Sequence, residues 1–274
     1  MARKIFGPQY PVSIEREYLK FLNVYANYYI RLVKEGIKDI MPDMRDTAAE
    51  EQPRLDQSFD DKITKLLKIV GRNMSVKFPD SVLTRVATAM VSKSSKHSKK
   101  ETKKMIASAD TKDGVSVDIE PLLNDKGMNP YFQNVVEMNV SLIKSIPAYS
   151  QPKMKEALIG LLTKDATAAE IQKVLQKNFN LTKGRAQGIA RDQVGKLNGA
   201  LDRHRQEQLG LKRYRWRTSE DSRVRDDHAK LDRKIFYWDK PPVINKSTGE
   251  RGNPKEDFNC RCWAEPILDD IIET

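Results

Sequence analysis

Apolar residues recur at three- and four-residue steps between Ser13 and about Met41: Leu19, Leu22, Tyr25, Ala26, Tyr29, Ile30, Val33, Ile37 and Ile40. That is the period of a helix with one buried face, and Pro42 limits it. A polar break from Asp43 to Pro53 follows. Ile63, Leu66, Leu67 and Val70 then predict a second helix that Gly71 closes, and a third starts at Asp80, a good cap, and carries Val82, Val86, Ala89 and Met90. The stretch from Ser92 to Lys100 has no apolar residue and reads as an exposed helix face or a flexible basic loop.

Gly114, Pro121, Gly127 and the Asn129-Pro130 step make 110–129 a linker with a short helical piece at Ile119 to Leu123. Phe132, Val135, Val136, Val140, Leu142, Ile143 and Ile146 predict a helix that stops at Pro147. Two short helices, Lys153 to Leu162 and Ala168 to Phe179, follow as a hairpin, the second opened by a Thr167/Glu170 capping box. A long helix should run from Thr182 to Gly210, with Ala186, Ala190, Val194, Leu197 and Leu201 on one face.

The period then changes. Tyr214, Trp216 and Thr218 alternate with Arg213, Arg215 and Arg217 as in a half-buried strand. Glu220-Asp-Ser is turn chemistry, and Val224 to Leu231 allows one or two helical turns carrying His228. Ile235 to Trp238 and Cys260 to Ala264 are further strand candidates, with a long loop through Pro241-Pro242 and Gly249 to Pro254 between them. The pattern gives a mainly α protein with a small C-terminal α+β module: an extended helical N-terminal region over 1–129, a helical part with a long basic helix over 130–210, and a compact strand-containing module over 211–274.

Charge sharpens this picture. The 274 residues carry a net charge of +11 and a pI near 9.4, which favours polyanionic partners. Between Lys183 and Arg217 ten basic residues face three acidic ones. Arg185, Lys196 and Arg203, eleven and seven residues apart, share the polar face of the long helix as a ridge roughly 27 Å long. Arg191, Arg205, Lys212 and Arg213 extend the set of candidate phosphate contacts, which neutralise a duplex without reading bases. The alternative is a solvated helix face. No apolar run has the length of a membrane span, and Met1-Ala-Arg-Lys is not followed by the apolar core of a signal peptide, so the expectation is a protein made and folded in the cytoplasm.

Both cysteines, Cys260 and Cys262, lie in one motif. Two strand residues at i and i+2 point to one face about 7 Å apart, too close in sequence for a domain-stapling disulfide. With His228 and an acid such as Asp221 they make a candidate zinc set, Asp221, His228, Cys260 and Cys262; packing thiols in a small polar core are the rival reading. The same residues allow a metal-dependent nuclease, but this module has no second histidine, and neither a P-loop nor a G-x-G-x-x-G pattern occurs. No catalytic residue is assigned. Trp216, Trp238 and Trp263 serve as core filling for a module with few aliphatics.

The ordered pieces Asn139 to Ile146, Ile189-Ala-Arg-Asp-Gln193, Arg205-Gln206 with Gly210, Tyr214 to Asp221, Arg223 to His228, Leu231-Asp232, Phe236, Pro241-Pro242 and Asn259-Cys-Arg-Cys262 resemble the phage head morphogenesis family of the Mu gpF and SPP1 gp7 type. The resemblance covers about 130–268. It implies a structural, non-enzymatic minor head protein of a tailed bacteriophage, inside the virion head near the portal and in the host cytoplasm during assembly. The implied partners are the portal protein, the major capsid protein or a scaffold, and double-stranded DNA bound without sequence preference; no membrane is involved. On this reading the N-terminal region docks on portal or capsid. Arg233 departs from the pattern, since the family more often has glycine after Leu231-Asp232. Some relatives carry a toxin domain after the module; with twelve residues after Cys262, the expectation is that none follows here.

Overall fold

The computed structural model describes residues 9–40, 55–109, 123–162 and 168–267, with six helices and five strands among them. The Asp43–Pro53 break, the Thr167 cap and the helical piece at 119–122 lie outside the described residues. The helices are α1 (Val12–Ile40), α2 (Leu55–Lys77), α3 (Asp80–Ala109), α4 (Asn129–Leu162), α5 (Ala168–Gln208) and α6 (Asp226–Ala229). The strands are β1 (Arg213–Arg217), β2 (Ile235–Tyr237), β3 (Val243–Asn245), β4 (Glu250–Arg251) and β5 (Trp263–Pro266). The mainly α architecture with a small strand-containing C-terminal module is therefore the fold.

Four boundaries differ from the sequence expectation, and each has a local cause. Gly71 does not close α2, which continues to Lys77; an exposed helical glycine costs only about 1 kcal/mol relative to alanine, and neighbouring packing outweighs that. Ser92 to Lys100 is helix, neither loop nor fully exposed, because Ser94, Ser95 and Ser98 are buried. Pro147 does not stop α4, which runs through both Pro147 and Pro152. Near them Ser150 Oγ donates to the Pro147 carbonyl at 3.3 Å and lies 2.7 Å from Thr182 Oγ1. Finally, the segments expected as separate helices at 168–179 and 182–210 are one helix of 41 residues, about 60 Å long.

The chain divides into two compact units, each assembled from separated stretches. One takes residues 17–87 and 137–190. Its core is apolar: Leu22, Ala26, Tyr29, Val33, Ile63, Val70, Leu83, Ile143, Ile146, Met154, Leu158 and Phe179 are all buried. Each large aliphatic or aromatic side chain fully withdrawn from water there contributes about 1.5–3 kcal/mol. Phe78 collects the rings of Tyr25, Tyr28 and Phe21 at centroid distances of 5.0, 5.6 and 6.0 Å. The buried Tyr18 hydroxyl donates to Asn139 Oδ1 at 2.8 Å, so a residue of the Asn139 to Ile146 motif acts as a polar tie in this core.

The other unit takes the described residues of 1–16, 88–136 and 191–274. Here α5 ends in a Schellman turn. Gly210 adopts φ 78°, its N–H donates to Glu207 O at 3.0 Å, and Leu211 N–H reaches back to Gln206 O at 3.0 Å. The chain then enters β1, the centre of an antiparallel sheet ordered β2-β1-β5, with Tyr214 opposite Phe236 and Trp216 opposite Ala264. Alternation along β1 turns Tyr214 and Trp216 inward, onto a core shared with Trp238, Ile244, Cys260, Cys262 and Ala264. The arginines of β1 face the other way, and Arg215 and Arg217 bracket Glu265 at 3.1 and 2.9 Å. The loop expected between β2 and the cysteines contains the β3–β4 hairpin.

Polar side chains tie this unit together over long sequence separations. Arg205, fully buried, donates its guanidinium to the Asp125 carboxylate and to the Asn124 carbonyl. Ser95 Oγ donates to the same carboxylate at 2.7 Å. Burial works to raise the Asp125 carboxyl, but the hydrogen bonds from Arg205 and Ser95 outweigh it and hold the group below its usual range. The buried Lys255 ammonium lies 3.3 Å from Asp202 Oδ2 on α5. Desolvation nevertheless pushes the Asp202 carboxyl upward. Gly199 lets the Lys255 segment approach α5, since a Cβ there would stand 2.8 Å from Lys255 Cβ and 3.1 Å from the Pro254 carbonyl. At the unusual Arg233 the backbone takes φ 64°, in the left-handed region that favours glycine. Its N–H still donates to Trp216 O at 2.7 Å.

Candidate metal centre

His228 reaches the module core from α6, a single turn whose position is fixed from both ends. Arg225 just before it donates to the Phe258 carbonyl at 2.8 Å, and Asp227 within it accepts the Lys246 N–H at 3.0 Å. Cys260 and Cys262 precede β5 and do not lie on it, so the strand expected at Cys260 begins at Trp263. The approach is fixed by Asn259, at φ 53°, whose N–H donates to Asp192 Oδ1 on α5 at 2.9 Å. On the far side, Gln206 Nε2 donates to Ala264 O at 3.1 Å.

These supports bring three buried groups together. His228 Nδ1 lies 3.5 Å from Cys260 Sγ and 3.6 Å from Cys262 Sγ, and the three ligand-type atoms all fall within 4.8 Å of one another. The far side of the ring faces Asp257, whose Oδ2 lies 3.3 Å from His228 Nε2, at ion-pair distance but off the hydrogen-bond line. Asp257 is in turn held by Arg225 at 3.2 Å. The Trp216 ring meets the imidazole edge-on at 5.5 Å between centroids. Its buried indole N–H has no hydrogen-bond partner among the described residues. The hydrogen bond from the Cys262 thiol holds the Cys260 thiol well below its ordinary value, and holding that proton pushes Cys262 upward.

Asp221 is not part of this triangle. Its carboxylate takes both Nη atoms of Arg261, and Arg223 donates a backbone N–H to it at 3.0 Å. Those hydrogen bonds, Arg261 first, hold its carboxyl below the usual range. Of the four residues the sequence grouped, three converge and the fourth orients the arginine between the cysteines. Trp216 stands beside it, as does Asp257, which the sequence did not group with the site. A carboxylate three residues before Cys260 was visible, but nothing in an irregular loop's spacing shows that it faces His228.

Beside the cysteines opens a cavity of about 420 Å³, lined by Tyr10, Glu15, Arg191, Ser219, Lys255, Cys260, Arg261 and Trp263 among others. Tyr10 donates its hydroxyl to Glu15 at 2.7 Å, and burial and that carboxylate raise its pKa far above the ordinary phenol value.

The candidate phosphate contacts stand in varied surroundings. Lys212 is exposed, while Arg191 and Arg213 are half-buried. Lys196 pairs with Asp192 at 3.2 Å and Arg203 with Glu207 at 2.9 Å. Arg185 donates to Ser145 at 3.3 Å and lies over the Tyr149 ring. Arg205 is the exception: its guanidinium is fully enclosed and bound to Asp125, so it presents no charge to a polyanion outside.

Residues 153–265 match the family model of phage Mu protein F like proteins. That segment contains α5, β1 to β4 and the whole His-Cys triangle, and the family model it matches is of the Mu gpF type that the ordered motifs resemble. A protein of Haemophilus influenzae strain Rd, described as an uncharacterized protein, is 33% identical over 163 residues, 59% of this chain and 35% of that protein. The chain thus spans about a third of that relative's length. No solved structure matches the chain. The motif residues of the Mu F-like segment are largely its internal ties: Asp192 to Asn259, Gln206 to Ala264, and Thr218, whose N–H donates to Asp232 at 2.8 Å. No helix among the described residues is long and apolar enough to cross a membrane.

Proposed function

We propose that the protein is a minor head protein of a tailed bacteriophage, associated with the portal inside the head and in contact with packaged double-stranded DNA. The observation that carries this reading is the Mu F-like match over 153–265, which coincides with α5 and the strand-containing module. The net charge of +11 supports the DNA contact, since non-specific binding to a duplex rests on lysine and arginine neutralising phosphates. Arg203 and Lys212 are the residues best placed for this, one half-exposed and one exposed near the end of α5. The N-terminal region over 1–129 adds helices able to dock on the portal protein, on the major capsid protein or on a scaffold.

Co-expression with the portal protein of the same phage tests the assignment: co-purification with the ring-shaped oligomer is the expected result, and a chain that elutes alone sinks the portal association. For the DNA contact, Arg203→Glu with Lys212→Glu should lower the slope of log affinity against log salt by about 2, near one unit per lost phosphate contact. An unchanged slope removes both residues from the interface. Metal-dependent cleavage of DNA, lost in His228→Ala, would replace the structural reading with a nuclease.

A further inference from the structure

Three ligand-type atoms converge in the core of the C-terminal module, all within 4.8 Å of one another. Neutral imidazole carries one lone pair, on one nitrogen. Yet two thiol sulfurs stand at 3.5 and 3.6 Å from the same His228 Nδ1. That nitrogen can accept a proton from at most one of the two thiols. We propose that Cys260 Sγ, Cys262 Sγ and His228 Nδ1 bind one Zn²⁺ ion, with a water molecule in the fourth position.

The distances agree with this assignment. Zinc bonds sulfur at about 2.3 Å and imidazole nitrogen at about 2.0–2.1 Å, so a tetrahedral site separates a sulfur from the nitrogen by about 3.5 Å. Two thiolates and an imidazole are also the donor set that selects zinc over magnesium or calcium, which require oxygen. The surroundings supply what such ligands need. Asp257 stands 3.3 Å from Nε2 on the far side of the ring, which leaves Nδ1 as the metal-facing nitrogen, and Arg225 holds Asp257 in place. The indole N–H of Trp216, whose ring meets the His228 ring edge-on at 5.5 Å, has no hydrogen-bond partner among the described residues and is a donor left available beside the site. Cys260 also lines the 420 Å³ cavity, which gives water a path to the fourth position. Asp221 is excluded from the ligand set by its two bonds to Arg261.

Titration of the full-length, reduced and metal-free chain with Co²⁺ tests the site. The expected result is one equivalent bound, with thiolate-to-cobalt charge-transfer absorption and the intense visible bands of a tetrahedral ion, both erased by one equivalent of Zn²⁺. Asp221→Asn should leave stoichiometry and spectrum unchanged, whereas Asp257→Asn should keep the spectrum and raise the dissociation constant 10–100-fold. Cys262→Ser should remove part of the charge-transfer intensity. Both Asn substitutions are nearly isosteric, and circular dichroism confirms that each variant remains folded. Absence of the charge-transfer band in the reduced wild-type chain overturns the proposal. Loss of the spectrum in a folded Asp221→Asn variant overturns the ligand set.

Discussion

The helical unit built from 17–87 and 137–190 and the unit containing the C-terminal module reach stability by different means. In the first the buried side chains are almost all hydrocarbon or aromatic, and a core of that kind tolerates volume-conserving change. In the second, Asp202, Arg205, Gln206, His228, Asn253, Lys255 and Glu265 are buried alongside the aromatic residues. Buried charges and amides are stable only while each keeps its partner, so the second unit is the more easily broken by a single change. An apolar core depends on how much is buried, a polar one on which atoms meet.

Removal of the Arg205 guanidinium should give the largest effect. Arg205→Ala leaves Asp125 without its main cation and should destabilise the protein by about 3 kcal/mol, the low end for a broken buried pair because Asp125 keeps some contact with water. Chemical denaturation measures this; a loss below about 1 kcal/mol would mean that the two units do not differ as described. Two glycines then test the contrast at matched chemistry. Gly199→Ala places a methyl group against Lys255 and Pro254 and should cost about 2 kcal/mol. Gly71→Ala enters open space on the exposed face of α2 and should stabilise by up to about 1 kcal/mol. Thermal melts of both variants should therefore move in opposite directions. The smallest effect is expected at Arg233. Arg233→Gly relieves a left-handed backbone worth about 1 kcal/mol, partly offset by the greater freedom of glycine in the unfolded chain, for a net gain of a few tenths of a kcal/mol.

The same contrast explains what the sequence made legible. Periodicity located α1 to within about a residue at each end, and the alternation of Tyr214 and Trp216 marked β1, because both signals come from one face meeting a core. It misread Pro147, Gly71 and the junction near 180 as helix ends. Proline and glycine report only local cost, while packing on either side decides whether the helix continues. Within the site, residue chemistry brought out His228 and the cysteines. It also favoured Asp221 as the fourth ligand, yet that carboxylate is spent on Arg261, and Asp257 faces the ring instead. Which acid meets a histidine depends on how the 253–259 loop folds back onto α5, through Lys255 with Asp202 and Asn259 with Asp192. Such pairings span more than fifty residues and leave no periodic trace.

Those long ties also set an order of events during synthesis. Ser95 and Arg205 are joined across 110 residues, Gln9 and Glu101 across 92, and Gln206 and Ala264 across 58. As the chain emerges, α3 and the Asp125 segment wait for Arg205, and the Asp192 and Gln206 side of α5 waits for residues 259–264. Closing such loops is slow compared with forming a helix. The unit that carries the His-Cys triangle is therefore expected to assemble last, with α5 already formed and half its polar partners still unmade. Until then its aromatic strand β1 has an unpaired edge, which makes this interval the one in which a chaperone or an assembly partner has most to protect.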